Sequence, residues 1–268
     1  MIIDSASTDD TTAIARAHGV RVHHIEKRDF DHGGTRTLAG RTQTSGSILV
    51  YLTQDALPIG NHAIATLIAP LQSDAQCGAV FGRQVPYANA TAFARHLREF
   101  NYPNQSYASS YADRERVGIK AAFCSNSFAA YRRSVLEHIG WFKAGLGMCE
   151  DLHLCARLLK EGYSVRYVAE ACVYHSHNYS IWQDFQRYVD IGTFFRKEHW
   201  ILDEFGKPRG EGLRYVSSEL QFLAREGRLS LIPFSLVRAG AKLGGYLLGT
   251  QSHLVPSFLI RRLGMRSF

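Results

Sequence analysis

Ile48-Leu49-Val50-Tyr51-Leu52 runs without a charge and meets Thr53-Gln54-Asp55-Ala56, with Pro58 just beyond. A continuous apolar run, mostly β-branched or aromatic, is the pattern of a strand buried on both faces, as in a parallel sheet. An acid follows where the strand must stop. In open α/β sheets ligands bind at the edge formed by the carboxyl ends of the strands. A carboxylate there can hold a divalent cation carrying a phosphate. Asp55 can equally serve as a cap for a helix starting near Asn61, and the residues alone leave both roles open.

The chain alternates around that strand. Met1 to Asp4, Val20 to Ile25, Cys77 to Phe81, Ser164 to Tyr167 and Ala171 to His175 read as further strands. Thr11 to His18, Thr37 to Thr44, Asn61 to Leu71, Ala92 to Phe100, Arg133 to Ile139 and Glu150 to Glu161 read as helices, several stopped by glycine. Residues 29–36 and 102–115 read as loops, and 121–131 as an extended apolar segment. From Ile181 onward the pattern is helical. Strands alternating with helices imply βαβ units and a mainly parallel sheet. A catalytic domain over 1–200 and a helical region over 201–268 are expected.

Charge separates the two parts. The 268 residues carry a net +7, but after Glu226 there are six bases and no acid. Residues 1–226 hold 25 bases against 24 acids. The tail bases, Arg228, Arg238, Lys242, Arg261, Arg262 and Arg266, are interleaved with leucine, isoleucine and phenylalanine. Such a composition suits a surface lying on anionic lipid headgroups, or one packed on the catalytic domain. Too few aromatics are interleaved with these bases for a nucleic-acid strand to stack on, so no nucleic acid is expected. Five cysteines without a Cys-x-x-Cys pair read as reduced thiols of a cytoplasmic protein. Leu243 to Ile260 is uncharged, but its glycines, polar residues and proline make it a poor membrane span.

Several other positions could carry chemistry. Asp4-Ser5 ends the first strand, where a carboxylate can accept from a base or a ribose hydroxyl, or can merely close a turn. Glu150-Asp151 follows Gly145-Leu146-Gly147-Met148-Cys149. Two acids in the first turn of a helix are favoured by its dipole, and one of them is also placed to act as a general base. His175 and His177 face the same side of a strand end, a spacing suited to a metal or a diphosphate. Arg36, Arg83 and Arg187 are candidate phosphate clamps.

Taken together, Ile3-Asp4-Ser5-x-Ser7-Thr8-Asp9, His32-Gly33-Gly34-Thr35-Arg36, Leu52-Thr53-Gln54-Asp55-Ala56, Gly82-Arg83-Gln84-x-Pro86, Phe100-Asn101-Tyr102-Pro103, Glu150-Asp151-Leu152, His175-Ser176-His177-Asn178-Tyr179 and Arg187-Tyr188-x-x-x-Gly192 occur in this order. The ordered set resembles family 2 glycosyltransferases of the GT-A fold, in particular bacterial rhamnosyltransferases of polysaccharide and O-antigen assembly. The resemblance implies a sheet flanked by helices and transfer of a sugar with inversion by single displacement. L-rhamnose from dTDP-L-rhamnose is the implied donor and a lipid-linked glycan the implied acceptor. Asp151 would be the base with Glu150 beside it. Asp55 would hold Mg²⁺ or Mn²⁺, with Thr53 standing where the family's first acid would be, and His175 and His177 would assist. Asp4, Ser5, Arg36, Gln54, Arg83, Gln84 and Arg187 would contact the donor or acceptor. The reduced thiols and the basic, apolar tail together lead to the expectation of a cytoplasmic protein, peripheral on the inner face of the plasma membrane. Family members usually open with a strand of the Val-Ile-Pro-x-Tyr-Asn kind and a helix. This chain starts in the second strand, so the first βα unit is expected to be missing. A non-catalytic remnant that only docks to a membrane or assembly complex is the alternative.

Overall fold

The computed structural model describes residues 1–206 and 210–265; Arg266 of the basic tail lies outside the described residues. In chain order the elements are β1 (Ile2–Asp4), α1 (Thr11–Ala17), β2 (Val22–His24), α2 (His32–Thr42), β3 (Ile48–Leu52), β4 (Leu57–Pro58), α3 (Ala63–Ser73), β5 (Cys77–Val85), α4 (Ala92–Asn101), β6 (Tyr107–Ser109), α5 (Arg114–Val117), β7 (Phe128–Arg132), α6 (Arg133–Ile139), α7 (Glu150–Lys160), β8 (Ser164–Tyr174), α8 (Ile181–Lys197), α9 (Trp200–Phe205), α10 (Glu211–Arg225), α11 (Ile232–Thr250) and α12 (Ser257–Leu263).

Six strands form one sheet in the order β3-β7-β5-β8-β4, with β6 also on β8; β1 and β2 pair separately and in parallel. The sheet is mixed. β5 and β8 are parallel, whereas β7 is antiparallel to both β3 and β5. Hence β3, β5 and β8 all point the same way and end at one edge. The alternation of strand side chains builds two cores. Val80, Phe128, Ala130 and Val173 pack on Leu67 and Leu71 of α3. Phe81, Ala129, Tyr131 and Tyr167 join the core that holds Leu154 and Leu158 of α7 on the other face.

Some local expectations change. β3 is not buried on both faces: Val50 and Leu52 are exposed, and β3 ends the strand order among the described residues. An apolar run reports strand propensity but not how many neighbours a strand has. Ser164 to Tyr174 is a single strand, with a register shift opposite Gly82/Arg83 of β5 where two strands were expected. The 102–115 segment contains β6 and begins α5. The expected loop at 29–36 is mostly helix, because Asp31 caps α2 by accepting from Gly34 N at 2.6 Å. Gly33 there serves close packing. A Cβ on it would lie 2.0 Å from the carbonyl oxygen of Lys143.

The C-terminal helices close onto this body. α10 packs on α4 through Phe93, Phe222 and Leu223. α11 crosses α8 almost backbone to backbone, through Gly192, Gly245 and Gly249. Two adjacent glycines of α11 should therefore respond in opposite ways to alanine. A Cβ at Gly245 meets the Phe185 carbonyl oxygen at 2.4 Å, while at Gly244 it meets nothing within 4 Å. Gly245→Ala should lower the unfolding free energy by about 1–3 kcal/mol. Gly244→Ala should raise it by up to about 1 kcal/mol through helix propensity. Urea denaturation of the two variants checks the contrast.

Candidate active site

The shared edge of β3, β5 and β8 opens into a cleft of about 460 Å³. Just past β3, the chain turns into β4, which pairs with Tyr174 and Val173 at the end of β8. That pairing pins Asp55 beside the two histidines. His175 Nε2 lies 3.4 Å from Asp55 Oδ1, and His177 Nε2 lies 3.5 Å from Asp55 Oδ2. Asp55 is thus no helix cap; α3 starts from His62 with no side-chain cap. Its neighbours, His175 first, hold its carboxyl well below the usual range.

The cluster fits a divalent cation. Ligand atoms of Asp55, His175 and His177 lie within 4.8 Å of one another. His175 Nδ1 sits 2.8 Å from Gln84 Oε1, so the amide oxygen accepts its proton, and Nε2, which contacts Asp55, would be the atom that ligates a cation. Gln84 Nε2 in turn donates to Ser125 Oγ, and Arg98 Nε donates to the His175 carbonyl. Burial, and then His175, pushes the His177 pKa down to about 4, which leaves a neutral imidazole free to ligate.

Across the cleft, the helix start of α7 presents the two acids. Gly147 and Cys149 both take positive φ, at 69° and 62°, and so turn the chain sharply into Glu150. For a non-glycine residue such a backbone costs of order 1–2 kcal/mol, a strain typical of functional loops. Glu150 is buried and receives Arg36 Nη1 at 2.6 Å and Asn126 Nδ2 at 3.1 Å. Burial opposes its charge, but Arg36 and His32 outweigh it and keep the carboxyl below its ordinary range. Asp151 accepts from the backbone N–H groups of Asn126 and Leu152, at 3.1 and 2.9 Å. Burial and the Glu150 charge prevail there, and its pKa is pushed up to about 7. Two adjacent carboxyls whose environments drive them apart have the character of a structural anion and a general base.

Of the residues singled out in the sequence, Arg36, Gln54, Asp55, Gln84, Glu150, Asp151, His175, His177 and Arg187 line the cleft. Asp4, Ser5 and Arg83 are not brought to it. Asp4 is occupied by His24 Nδ1 at 3.1 Å and by the Ser7 N–H. Arg83 precedes Gln84 on β5, so the alternation that turns Gln84 inward turns Arg83 away. Asn126, Arg98 and Lys242 are among the lining residues that carried no expectation at this site. Asn126 binds both acids and accepts from Tyr131 O–H at 2.8 Å; its signal was the polar interruption Ser125-Asn126-Ser127 in an apolar segment. Arg98, buried beneath His175, had none. Lys242 reaches the cleft from α11. A hollow of about 420 Å³ bounded by His138, Arg157, Glu161 and Trp200 holds no comparable convergence of groups.

A mixed sheet whose co-directional strands deliver metal-ligating groups to one edge is the GT-A architecture, and solved structures of that kind align with it. A mannosyltransferase from Pyrobaculum calidifontis, solved with GDP-Man and Mn²⁺, matches 94% of this chain and 77% of its own, at a TM-score of 0.60 and 15% identity. The 1–349 fragment of TarS from S. aureus matches 94% of this chain and 81% of its own, at 0.54 and 14% identity. The sequence profile described as Glycosyltransferase like family 2 matches residues 3–189. Two curated relatives are each 42% identical over 99% of this chain and 84% of their own length. They are the O-antigen chain rhamnosyltransferases RfbN of Salmonella typhimurium and WbaN of Salmonella anatum. The chain belongs to glycosyltransferase family 2 and is a nucleotide-sugar-dependent enzyme.

The raised Asp151 pKa has a consequence for stability. Its stabilising effect is complete below the ordinary value of 3.8 and is lost as pH rises through about 7. Asp151→Asn removes that loss. The melting temperature of the variant should exceed the parent's, with a gap that is small at pH 4 and widest at pH 8. At ~1.4 kcal/mol per pKa unit, discounted for partial exposure, the gap corresponds to about 2 kcal/mol. Calorimetry across that pH range measures it.

Proposed function

We propose that the protein transfers L-rhamnose from dTDP-L-rhamnose to a lipid-linked O-antigen glycan, with inversion at the anomeric carbon. The observation that carries this reading is one cleft holding a carboxyl poised near neutrality and, opposite it, an Asp-His-His cluster able to hold a cation. The names of the two 42% identical relatives support the sugar and the polysaccharide setting. The cytoplasm, where nucleotide sugars are made, is the compartment that goes with it.

In this reading the acceptor hydroxyl lies against Asp151. The carboxylate takes its proton as the oxygen attacks the anomeric carbon from the face opposite the diphosphate. The bond from that carbon to the diphosphate oxygen breaks, and its electron pair leaves with the nucleotide. Glu150 stays ionised on Arg36, which keeps negative charge beside Asp151 and its basicity high. Arg187 and Arg36 line the same cleft and are the groups that would meet an anionic donor. Asp55, His175 and His177 would hold the divalent cation, which when bound neutralises charge on the departing diphosphate. Two imidazoles with a single carboxylate favour Mn²⁺ over Mg²⁺. Gln84 acts through His175, whose tautomer it sets. Asp4, Ser5 and Arg83 take no part in this reading. The fully assembled acids and histidines favour turnover over a non-catalytic remnant.

Two experiments test it. Asp151→Asn should reduce transfer at least 1000-fold while leaving dTDP binding within about twofold, read by radiolabelled transfer and calorimetric titration. In the parent, kcat/KM should fall on the acid side with a midpoint near 7. Glu150→Gln removes the charge that raises Asp151, so the limb should move to lower pH; an unmoved limb assigns the base elsewhere. Separately, Asp55→Ala should abolish the gain in dTDP affinity that Mn²⁺ confers on the parent, because no second acid stands at Thr53 to replace it. A gain that survives the change removes Asp55 from the metal site.

A further inference from the structure

α11 has two unlike sides. Ser235, Arg238, Gly245 and Gly249 are buried on the body of the protein. Their spacing leaves the opposite side to Leu236, Val237, Gly240, Leu243, Gly244 and Leu247, and all six are exposed. Leu236, Val237, Leu243 and Leu247 keep 51, 58, 59 and 48% of their surface in water. No charged side chain interrupts this stripe over three turns. Past the helix, Leu254 and Phe258 are 70 and 67% exposed. α12, which carries Phe258, packs on α8 as α11 does, through Gly264 against Asp190 and Met265 N donating to Asp190. Monomeric proteins rarely leave a contiguous apolar surface of this kind uncovered.

The charges around the stripe decide what covers it. Arg228 stands just before α11, and Arg261 and Arg262 are on α12; all three are exposed and form no ion pair with a described residue. Arg196 binds His253 in the turn after α11. Residues 227–265 contain no acid. A second copy docked about a two-fold axis would set these bases against bases, and residues 227–265 offer no carboxylate to meet them. An apolar helical stripe with cations at both ends is instead the makeup of a helix lying in the plane of an anionic bilayer. No helix among the described residues is long and apolar enough to cross one.

We propose that the outer face of α11, continued by Leu254 and Phe258, docks the enzyme on an anionic lipid surface. The helix lies flat, its stripe among the headgroups and Arg228, Arg261 and Arg262 on lipid phosphates. Its inner side carries Lys242, which lines the cleft. The active site is then one helix thickness from the surface on which a lipid-linked acceptor resides. The docking stands on the surface itself; only its use for acceptor delivery rests on the reading given above.

The test is co-sedimentation of the full chain with vesicles of phosphatidylethanolamine and phosphatidylglycerol at 3:1, against phosphatidylcholine alone, at 50 and 500 mM salt. Two variants accompany the parent: Leu236→Gln/Leu243→Gln/Leu247→Gln and Arg228→Gln/Arg261→Gln/Arg262→Gln. The parent should pellet with the anionic vesicles at low salt. The apolar variant should partition at least tenfold less at both salts. The arginine variant should bind at low salt as weakly as the parent does at high salt. Both variants should bind dTDP as the parent does, which shows them folded and separates this question from the sugar chemistry. Transfer to a water-soluble acceptor should be unchanged, and transfer to an acceptor embedded in anionic vesicles should fall with binding. A parent that stays in the supernatant overturns the proposal, as do variants that pellet like the parent. A dimer in sedimentation equilibrium that Leu243→Gln dissolves would give the face to a second copy and likewise overturn it.

Discussion

The reversed strand β7, inserted between β3 and β5, is the constraint on which the site depends. It lets β3, β5 and β8 run in one direction while hydrogen-bonding continuously across the sheet. Their ends therefore coincide, and three segments distant in sequence deliver Asp55, Gln84 and His175 to one edge. The segment leading into β7 carries Asn126, whose side chain and backbone reach the two acids of α7. One strand thus sets both walls of the cleft. A buried polar contact of this kind is costly to leave half made, so the acids and the sheet are fixed as one unit.

The electrostatics follow from that geometry. The cleft brings together four carboxyls, three imidazoles and four cationic side chains. Arg36 pairs with the buried Glu150, and Asp151 gains no such partner. The difference between the two neighbours comes from the cations beside Glu150, Arg36 first and then His32. On the other wall Gln84, an uncharged amide, orients His175 without adding charge, and this leaves the Asp55 cluster with room for a cation.

Much of this was legible in the sequence because strand ends are marked by abrupt changes of residue type. Asp55, His175 and His177 stood at such changes, and Glu150-Asp151 stood at a helix start behind glycines. What failed did so for identifiable reasons. Arg83 and Gln84 differ by one residue and face opposite ways, and composition cannot say which is inward. Asp4 sits at a strand end, yet its strand pairs only with β2 and its carboxylate is taken by His24. The apolar run at β3 has the pattern of a doubly buried strand, but apolarity cannot count neighbours. Gly33-Gly34 has the composition of a loop because the carbonyl of Lys143, which requires a missing Cβ at Gly33, is 110 residues away in sequence. Arg98 lacked any local signal, since its partner is a backbone carbonyl on another element.

Lys242 gives the cleft a wall made late. Asp151 and Lys242 face the same space, yet about 90 residues of synthesis separate them, roughly 5–18 s at ordinary elongation rates. During that interval the sheet and its acids can assemble while the side nearest α8 stays open. Gly192 of α8 also meets Gly249 of α11, so the helix that follows His177, seated on the sheet core through Phe194, gains its second neighbour only when the later one arrives. Completion of the cleft's lining is thereby tied to completion of the tail.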